Sequence, residues 1–372
     1  MAVDVCFVVG ARPNFVKVAP VYEALRRQRA ELDLLLVHTG QHYDPELSEL
    51  ILADLGLPAP DVLLQVGSGT HGEQTGRTLV GMEDVLARRR PRLLVVAGDV
   101  NSTLGAALAG SKARVPVAHI ESGLRSFDAA MPEEVNRKLT DHLSSLLLAH
   151  SPDAVENLRR EGIAGDQVQL VGNTMIVTLL AHVDAARAHE PWARLGVEPG
   201  SYALVTLHRP ELVDDPSLLA ATVEELASLA SELPVVMPLH PRTRMRLEAL
   251  GGVVRLESGG VQVLPALGYL DFLGLESEAG FVLTDSGGIQ EETSALGVPC
   301  FTLRNSTERP ITIELGTNTL LGVRPERIAE LPALAAAAPP GVSIPLWDAE
   351  AGERAAAAIA AFVEQATPLA VV

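Results

Sequence analysis

Short apolar runs of four to seven residues recur along this chain and alternate with segments of helix length. Val3-Asp4-Val5-Cys6-Phe7-Val8-Val9 is the first such run. It is too continuously apolar for a strand with one wet face, so it reads as a parallel strand buried on both faces. Leu34–Val37, Leu93–Ala97 and Val115–Ile120 repeat the pattern. Helices are predicted between and after them, at about 15–29, 46–55, 72–89, 103–112, 133–148 and 153–160. Such a βαβα rhythm demands a parallel sheet with helices on both faces. Around Val168–Gly172 the rhythm restarts. A helix over 174–188 is followed by predicted strands at 202–206, 235–238, 261–264 and 280–283. Helices at 216–231, 242–250 and 291–296 separate or follow these strands. An Ala-rich helix closes the chain from about 349 to 365.

At 372 residues the chain accommodates two domains. The predicted class is α/β, two Rossmann-like domains facing across a cleft. The first spans 1–170 together with the last helix, about 350–372, and the second spans 171–349. Net charge is -18 and no basic tract offsets it, which argues against nucleic acid as a partner. A few local cations in a cleft are still enough for a small anion. No run of 18 apolar residues is present, so no membrane span is expected. The first strand begins almost at Met1, so no signal peptide is expected. Cys6 and Cys300 sit in apolar runs and read as buried small hydrophobes in a reducing compartment. The expected localisation is cytoplasmic.

Ligands in open α/β sheets bind beyond the carboxyl ends of strands. The residues there are unusually polar: Arg12, Gln41 with His42, Asp99 with Asn101, Glu121 with Arg125, His208 with Arg209, His240 with Arg242, and Asp285-Ser286-Gly287-Gly288. Each alone has a plain explanation as a cap or core-edge residue, but seven together exceed what capping needs. The last group, Thr284-Asp285-Ser286-Gly287-Gly288-Ile289-Gln290-Glu291-Glu292, is a strand–turn–helix junction. It aims backbone N–H groups and a positive helix end at one point, which suits a phosphate. Read alone, the same stretch is a turn capped by Ser286.

The available cations are Arg12, Lys17, Arg125, Arg137 and Arg309, with His208; the carboxylates are Asp99, Glu121, Glu133, Glu134 and Glu292. This mixture fits a nucleotide diphosphate held by cations and a helix end, with acids near a transformed sugar. Metal-ligand spacing, the P-loop pattern and the serine elbow are all missing. Gly10-Ala11-Arg12-Pro13 lacks the later glycines of a dinucleotide fingerprint. No cofactor and no metal are expected.

Eight motifs in order then resemble the non-hydrolysing UDP-N-acetylglucosamine 2-epimerases. They are Gly10-Ala-Arg-Pro with Lys17, Gly98-Asp99, His119-Ile-Glu-Ser-Gly-Leu-Arg125, Pro132-Glu-Glu-Val-Asn-Arg137, Gly172-Asn-Thr174, His208-Arg209, Thr284 to Glu292, and Thr307-Glu-Arg-Pro310. The resemblance implies a GT-B-like fold whose final helix returns to the first domain. It implies reversible inversion at C2 between UDP-N-acetylglucosamine and UDP-N-acetylmannosamine, through UDP elimination to 2-acetamidoglucal and re-addition. It implies a UDP-sugar as the partner and a homodimer. Carried onto this chain, Asp99, Glu121 and Glu133 match the acid/base carboxylates, and His208 joins them as a catalytic candidate. Arg12, His208 and the Ser286-Gly287-Gly288 turn would hold the diphosphate, with Lys17, Arg137 and Arg309 adding positive potential. Glu292 would accept from the ribose hydroxyls and Phe272 would line the uracil. Glu133 also reads as a plain helix N-terminal carboxylate, and Phe272 as a core residue. Gln41, Arg77 and His240 are the candidates for a regulatory substrate site. Asn14, Asn101, Pro210, Ile311 and Asp44 depart from the commonest bacterial pattern. Segments near Gln41 and Asn101 are similar to those of enzymes acting on UDP-diacetamido uronic acids, which leaves that substrate open. A GT-B glycosyltransferase is the alternative from another class.

Overall fold

The computed structural model describes residues 3–41, 52, 55–339 and 341–365, with Arg12 described by its backbone only. The predicted helix at 46–55 therefore lies almost wholly outside the described residues, as do His42, Tyr43 and Asp44. Two compact units result, one of Met1–Thr178 with Pro345–Val372, the other of Leu179–Ile344.

The first unit is built on a seven-stranded parallel sheet. Its strands are β1 (Val5–Val9), β2 (Leu34–His38), β3 (Val62–Leu63), β4 (Leu93–Ala97), β5 (Val117–Ser122), β6 (Leu146–Ala149) and β7 (Val168–Leu170), in the order β3-β2-β1-β4-β5-β6-β7. The continuous apolar runs have the expected cause. Val5, Phe7 and Val9 face one core with Val18, Val21, Leu25, Ile359 and Val363, while Cys6 and Val8 face another with Met82, Val85 and Ala106. Both faces are covered by helices, so neither can be polar. The closing helix, Ala351–Gln365, belongs to this unit and packs its Ala355, Ala356 and Ile359 on the helix Arg12–Gln28.

The second unit repeats the plan with β8 (Ala203–Thr206), β9 (Val235–Pro238), β10 (Gln262–Leu264), β11 (Phe281–Thr284), β12 (Cys300–Thr302) and β13 (Asn318–Leu320), ordered β10-β9-β8-β11-β12-β13. Phe281 and Leu283 face one core and Val282 the opposite one. Strand order reverses between β1 and β4, and again between β8 and β11. The carboxyl ends at these two reversals are where crevices open in such sheets.

Several predicted boundaries need correction. The helix expected over 133–148 ends at Leu143, and Leu146–Ala149 is the fully buried strand β6. Ser144 leaves the helix with extended backbone, and the apolar run is long enough only for a strand. The helix expected from Glu291 begins at Gly287, so both glycines lie in its first turn. Short helices at Gly252–Ser258 and Tyr269–Ser277 occupy stretches for which no element is predicted. Among the described residues no helix is long and apolar enough to cross a membrane.

Candidate functional site

In the first unit the polar residues gather beyond β1, β4 and β5. Asn14 joins two of these ends. Its Oδ1 accepts from the backbone N–H of Gly10 and Ala11 at 3.0 and 3.1 Å, and its Nδ2 donates to the Ala97 carbonyl at 2.8 Å. One turn further along the helix, Lys17 is buried and forms an ion pair with the buried Glu121. Glu121 sits where the register of β5 against β6 shifts, with φ at 68°. A non-glycine residue in left-handed backbone beside a bulge is a held conformation. Here it turns the carboxylate toward Lys17. Gly98, with φ at +64°, permits the approach: a Cβ there would lie 3.1 Å from Lys17 Nζ and 3.3 Å from Glu121 Oε2.

Asp99 follows directly. Arg137 Nε and Nη2 reach its Oδ2 at 2.9 and 2.8 Å, and Asn136 Nδ2 donates to its carbonyl at 2.8 Å. The other end of Arg137 binds buried Glu134 at 2.7 Å. Burial pushes the Glu134 carboxyl up, but the Ser126 backbone N–H, Arg137 and the Ser126 hydroxyl outweigh it and hold the group below its ordinary value. Glu133, half-buried in the first helical turn, makes no hydrogen bond or ion pair among the described residues. A second layer supports the Gly98–Asp99 turn. His119 is fully buried, with Nε2 at 2.8 Å from the Gly98 carbonyl and Nδ1 at 2.7 Å from Asp141. Both ring nitrogens thus face acceptors. Asp141 also accepts from Gly123 N–H at 3.1 Å and pairs with Arg125 at 2.8 Å. Burial raises the Asp141 carboxyl, but His119 and then Arg125 more than reverse this and leave it below the ordinary value.

In the second unit the focus is the ends of β8 and β11. Asp285 is buried. Its oxygens accept from the His208 N–H at 2.8 Å and the Arg209 N–H at 2.8 Å, and His208 Nδ1 lies 3.1 Å away. Burial raises this carboxyl too, but the His208 ring and these backbone donors lower it overall. Asp285 therefore fastens the turn after β8 to the end of β11 and leaves the His208 side chain 37% exposed. Ser286 is the N-cap of the next helix, yet its side chain makes no capping bond. The plain reading of a Ser286-capped turn fails. The positive helix end carries the two glycines with Ser286 and Gly288 only half-buried, the arrangement that receives anions.

Behind this turn lies an arginine–carboxylate cluster. Arg309 pairs with buried Glu291 at 2.9 Å and with buried Glu308. Arg304 binds the other Glu308 oxygen at 2.7 Å. Burial lowers the Arg304 guanidinium below its ordinary value; Glu308 opposes this, and Arg209 and Arg309 reinforce it. Gly287 packs on the cluster so closely that a Cβ would stand 2.5 Å from Arg309 Nη1 and 2.7 Å from Glu308 Oε1. Gln290 ties the helix onward, donating to the Ser286 carbonyl at 3.1 Å and accepting from Thr307 at 2.6 Å.

The structure thus brings together Lys17 with Glu121, and Asp99 with Arg137, in the first unit. In the second it gathers His208, the Ser286-Gly287-Gly288 turn and Arg309. Glu292 is half-buried on the same helix as the turn, and Phe272 is half-buried on Tyr269–Ser277 against the apolar cluster beneath it. Gln41 is buried and accepts from Ser102 N–H at 2.9 Å, whereas Arg77 donates to the Val66 and Ser68 carbonyls at 3.1 and 3.2 Å. His240 caps its own helix through Arg242 N–H, its ring 5.8 Å from that of His208. The supporting roles of Asn14, His119, Asp141, Asp285 and Glu308 had no counterpart in the sequence reading. His119 and Glu308 lie inside recognisable motifs, but Asp141 carries no local signal.

Known proteins resemble most of the chain. A family model described as UDP-N-acetylglucosamine 2-epimerase matches residues 23–360. The UDP-N-acetylglucosamine 2-epimerase of Methanocaldococcus jannaschii is 42% identical over 327 residues, 86% of this chain and 89% of that protein. The UDP-2,3-diacetamido-2,3-dideoxy-D-glucuronate 2-epimerase of Pseudomonas aeruginosa is 44% identical over 324 residues, 87% and 89% of the two chains. A crystal structure of the M. jannaschii enzyme in complex with UDP-GlcNAc and UDP superposes with a TM-score of 0.87 at 40% identity, covering 94% of this chain and 98% of that one.

Proposed function

This chain belongs to the UDP-N-acetylglucosamine 2-epimerase family, and from that premise we propose that it interconverts UDP-N-acetylglucosamine and UDP-N-acetylmannosamine by inverting C2. The observation that carries the reading is the turn after β11: an uncapped helix start bearing two glycines, fastened to His208 through Asp285. The nucleotide's diphosphate is assigned to those N–H groups and to His208. Its ribose is assigned to Glu292 and its uracil to the neighbourhood of Phe272. Arg309, buried between Glu291 and Glu308, supports the turn from behind and lends it positive potential. Arg12 is assigned to the diphosphate by its motif.

The sugar chemistry is assigned to Asp99, Glu121 and Glu133. A base takes the C2 proton, the electron pair forms the C1–C2 double bond, and the C1–O bond breaks with UDP leaving. The intermediate is 2-acetamidoglucal. UDP oxygen then returns to C1 while a proton is delivered to the opposite face of C2. Inversion needs proton-transfer groups on both faces and a stabilised leaving group. Asp99 is the direct proton handler in this scheme, since it is more exposed than Glu121 and its partner Arg137 can hold it while it acts. Glu121, fixed against Lys17, is suited to the second face.

The Pseudomonas relative favours a second substrate, a UDP-linked 2,3-diacetamido uronic acid, for the same reaction. Supplying each sugar nucleotide separately and following the C1 proton signals by NMR tests both. A new 2-epimer from UDP-N-acetylglucosamine, with little free UDP, supports the first reading. Turnover of the uronate alone replaces it, and sugar transfer to an acceptor would turn the assignment to a glycosyltransferase.

A further inference from the structure

Glu276 lies at the end of the helix Tyr269–Ser277, fully buried in the second unit. No donor among the described residues reaches either of its carboxyl oxygens. The charged group that acts on it is a second carboxyl, Glu292, one helix away. Two carboxyls are both acceptors and can satisfy each other only if one carries a proton. Burial, its charged neighbour and its place on the helix select Glu276 for that proton. Burial, and next the Glu292 charge, hold its carboxyl well above the ordinary range. The carbonyl end of its own helix adds negative potential. Cys300, which also feels Glu276, is a buried thiol pushed up to about 12 and supplies no positive charge.

We infer that Glu276 is a positioning residue for the ribose site, donating its O–H to Glu292 and fixing the orientation in which that carboxylate accepts the ribose hydroxyls. This rests on the assignment of Glu292 to the ribose. Glu276 lies outside every motif found in the sequence. A neutral acid that donates a hydrogen bond to a working carboxylate occurs where an apolar site suppresses ionisation. It restricts Glu292 without neutralising it, leaving acceptor lone pairs for the ligand.

Titration of the wild type, E276Q and E276L with UDP and with 2′-deoxy-UDP tests the inference. The wild type should prefer UDP. E276Q, whose amide still donates to Glu292, should keep that preference. E276L should lose roughly tenfold in UDP affinity, the scale of one hydrogen bond to a charged group, with 2′-deoxy-UDP affinity little changed. An E276L protein that discriminates as well as the wild type overturns the inference and leaves the ribose assignment intact. A wild type that binds both ligands equally overturns the ribose assignment, and the inference with it. If E276L does not fold, infrared difference spectra of wild type minus E276Q decide. A neutral-acid carbonyl band at neutral pH that shifts when UDP binds supports the proton on Glu276, and its absence overturns it.

Discussion

Lys17→Met separates two roles for one residue. By motif Lys17 belongs to the diphosphate; in the structure it is the ion-pair partner of Glu121. Both side chains are nearly closed to solvent, at 7% and 5% exposure. An exposed pair would be worth less than about 1 kcal/mol. Removing one partner of a buried pair instead leaves an uncompensated charge and costs roughly 3–5 kcal/mol. On the scale of a domain this size, that is about 10 °C in Tm. Because Glu121 is within the proposed proton machinery, turnover should also fall. Methionine keeps the apolar stem, so packing loss contributes little. The double variant K17M/E121Q removes the stranded charge and should recover most of the stability, though not turnover. Calorimetry of wild type, K17M, E121Q and the double variant, with UDP titration of each, reads both effects. If K17M melts within about 1 kcal/mol of wild type, or E121Q fails to rescue it, the pair does not hold the first unit as described. If K17M mainly weakens UDP binding, the motif reading of Lys17 is the correct one.

Other perturbations address the remaining parts. Gly287→Ala must displace Arg309 and Glu308, whose atoms lie 2.5 and 2.7 Å from the added Cβ. Overpacking of this kind costs about 1–3 kcal/mol, and a larger fractional loss should appear in UDP affinity than in Tm. Asp99→Asn should lower turnover by roughly 10²-fold or more with UDP affinity nearly unchanged; wild-type turnover would remove Asp99 from the chemistry. Asp141 has a lowered folded-state value, so its contribution is complete above the ordinary aspartate range and is lost as pH falls through the folded value. Urea unfolding of Asp141→Asn should therefore show its deficit at neutral pH, with the gap to wild type starting to close only below about pH 4 and closing as pH falls through the folded value.

The central strands of both sheets were legible because parallel strands buried on two faces must be apolar throughout, as Val5–Val9 and Leu93–Ala97 are, whereas β3, β12 and β13, only two or three residues each, were not. β6 was hidden because Leu146–Ala149 continues the apolar content of the amphipathic helix before it, and only the extended backbone at Ser144 separates them. At the site, chemistry-bearing residues at strand ends could be found one by one. Their pairings could not. Lys17 and Glu121 are 104 positions apart, and Asp285 meets His208 across 77. Register and sheet order decide those contacts. The starting point of the helix at Gly287 had the same character: glycine propensity argues against helix there, and packing on Arg309 and Glu308 prevails.

Incubation with UDP-N-acetylglucosamine in D2O, followed by NMR of the recovered UDP-sugars, tests the account most directly. Elimination and re-addition predict deuterium at C2 of both epimers, with incorporation lost in Asp99→Asn. Epimerised product that keeps its original C2 hydrogen would contradict the account.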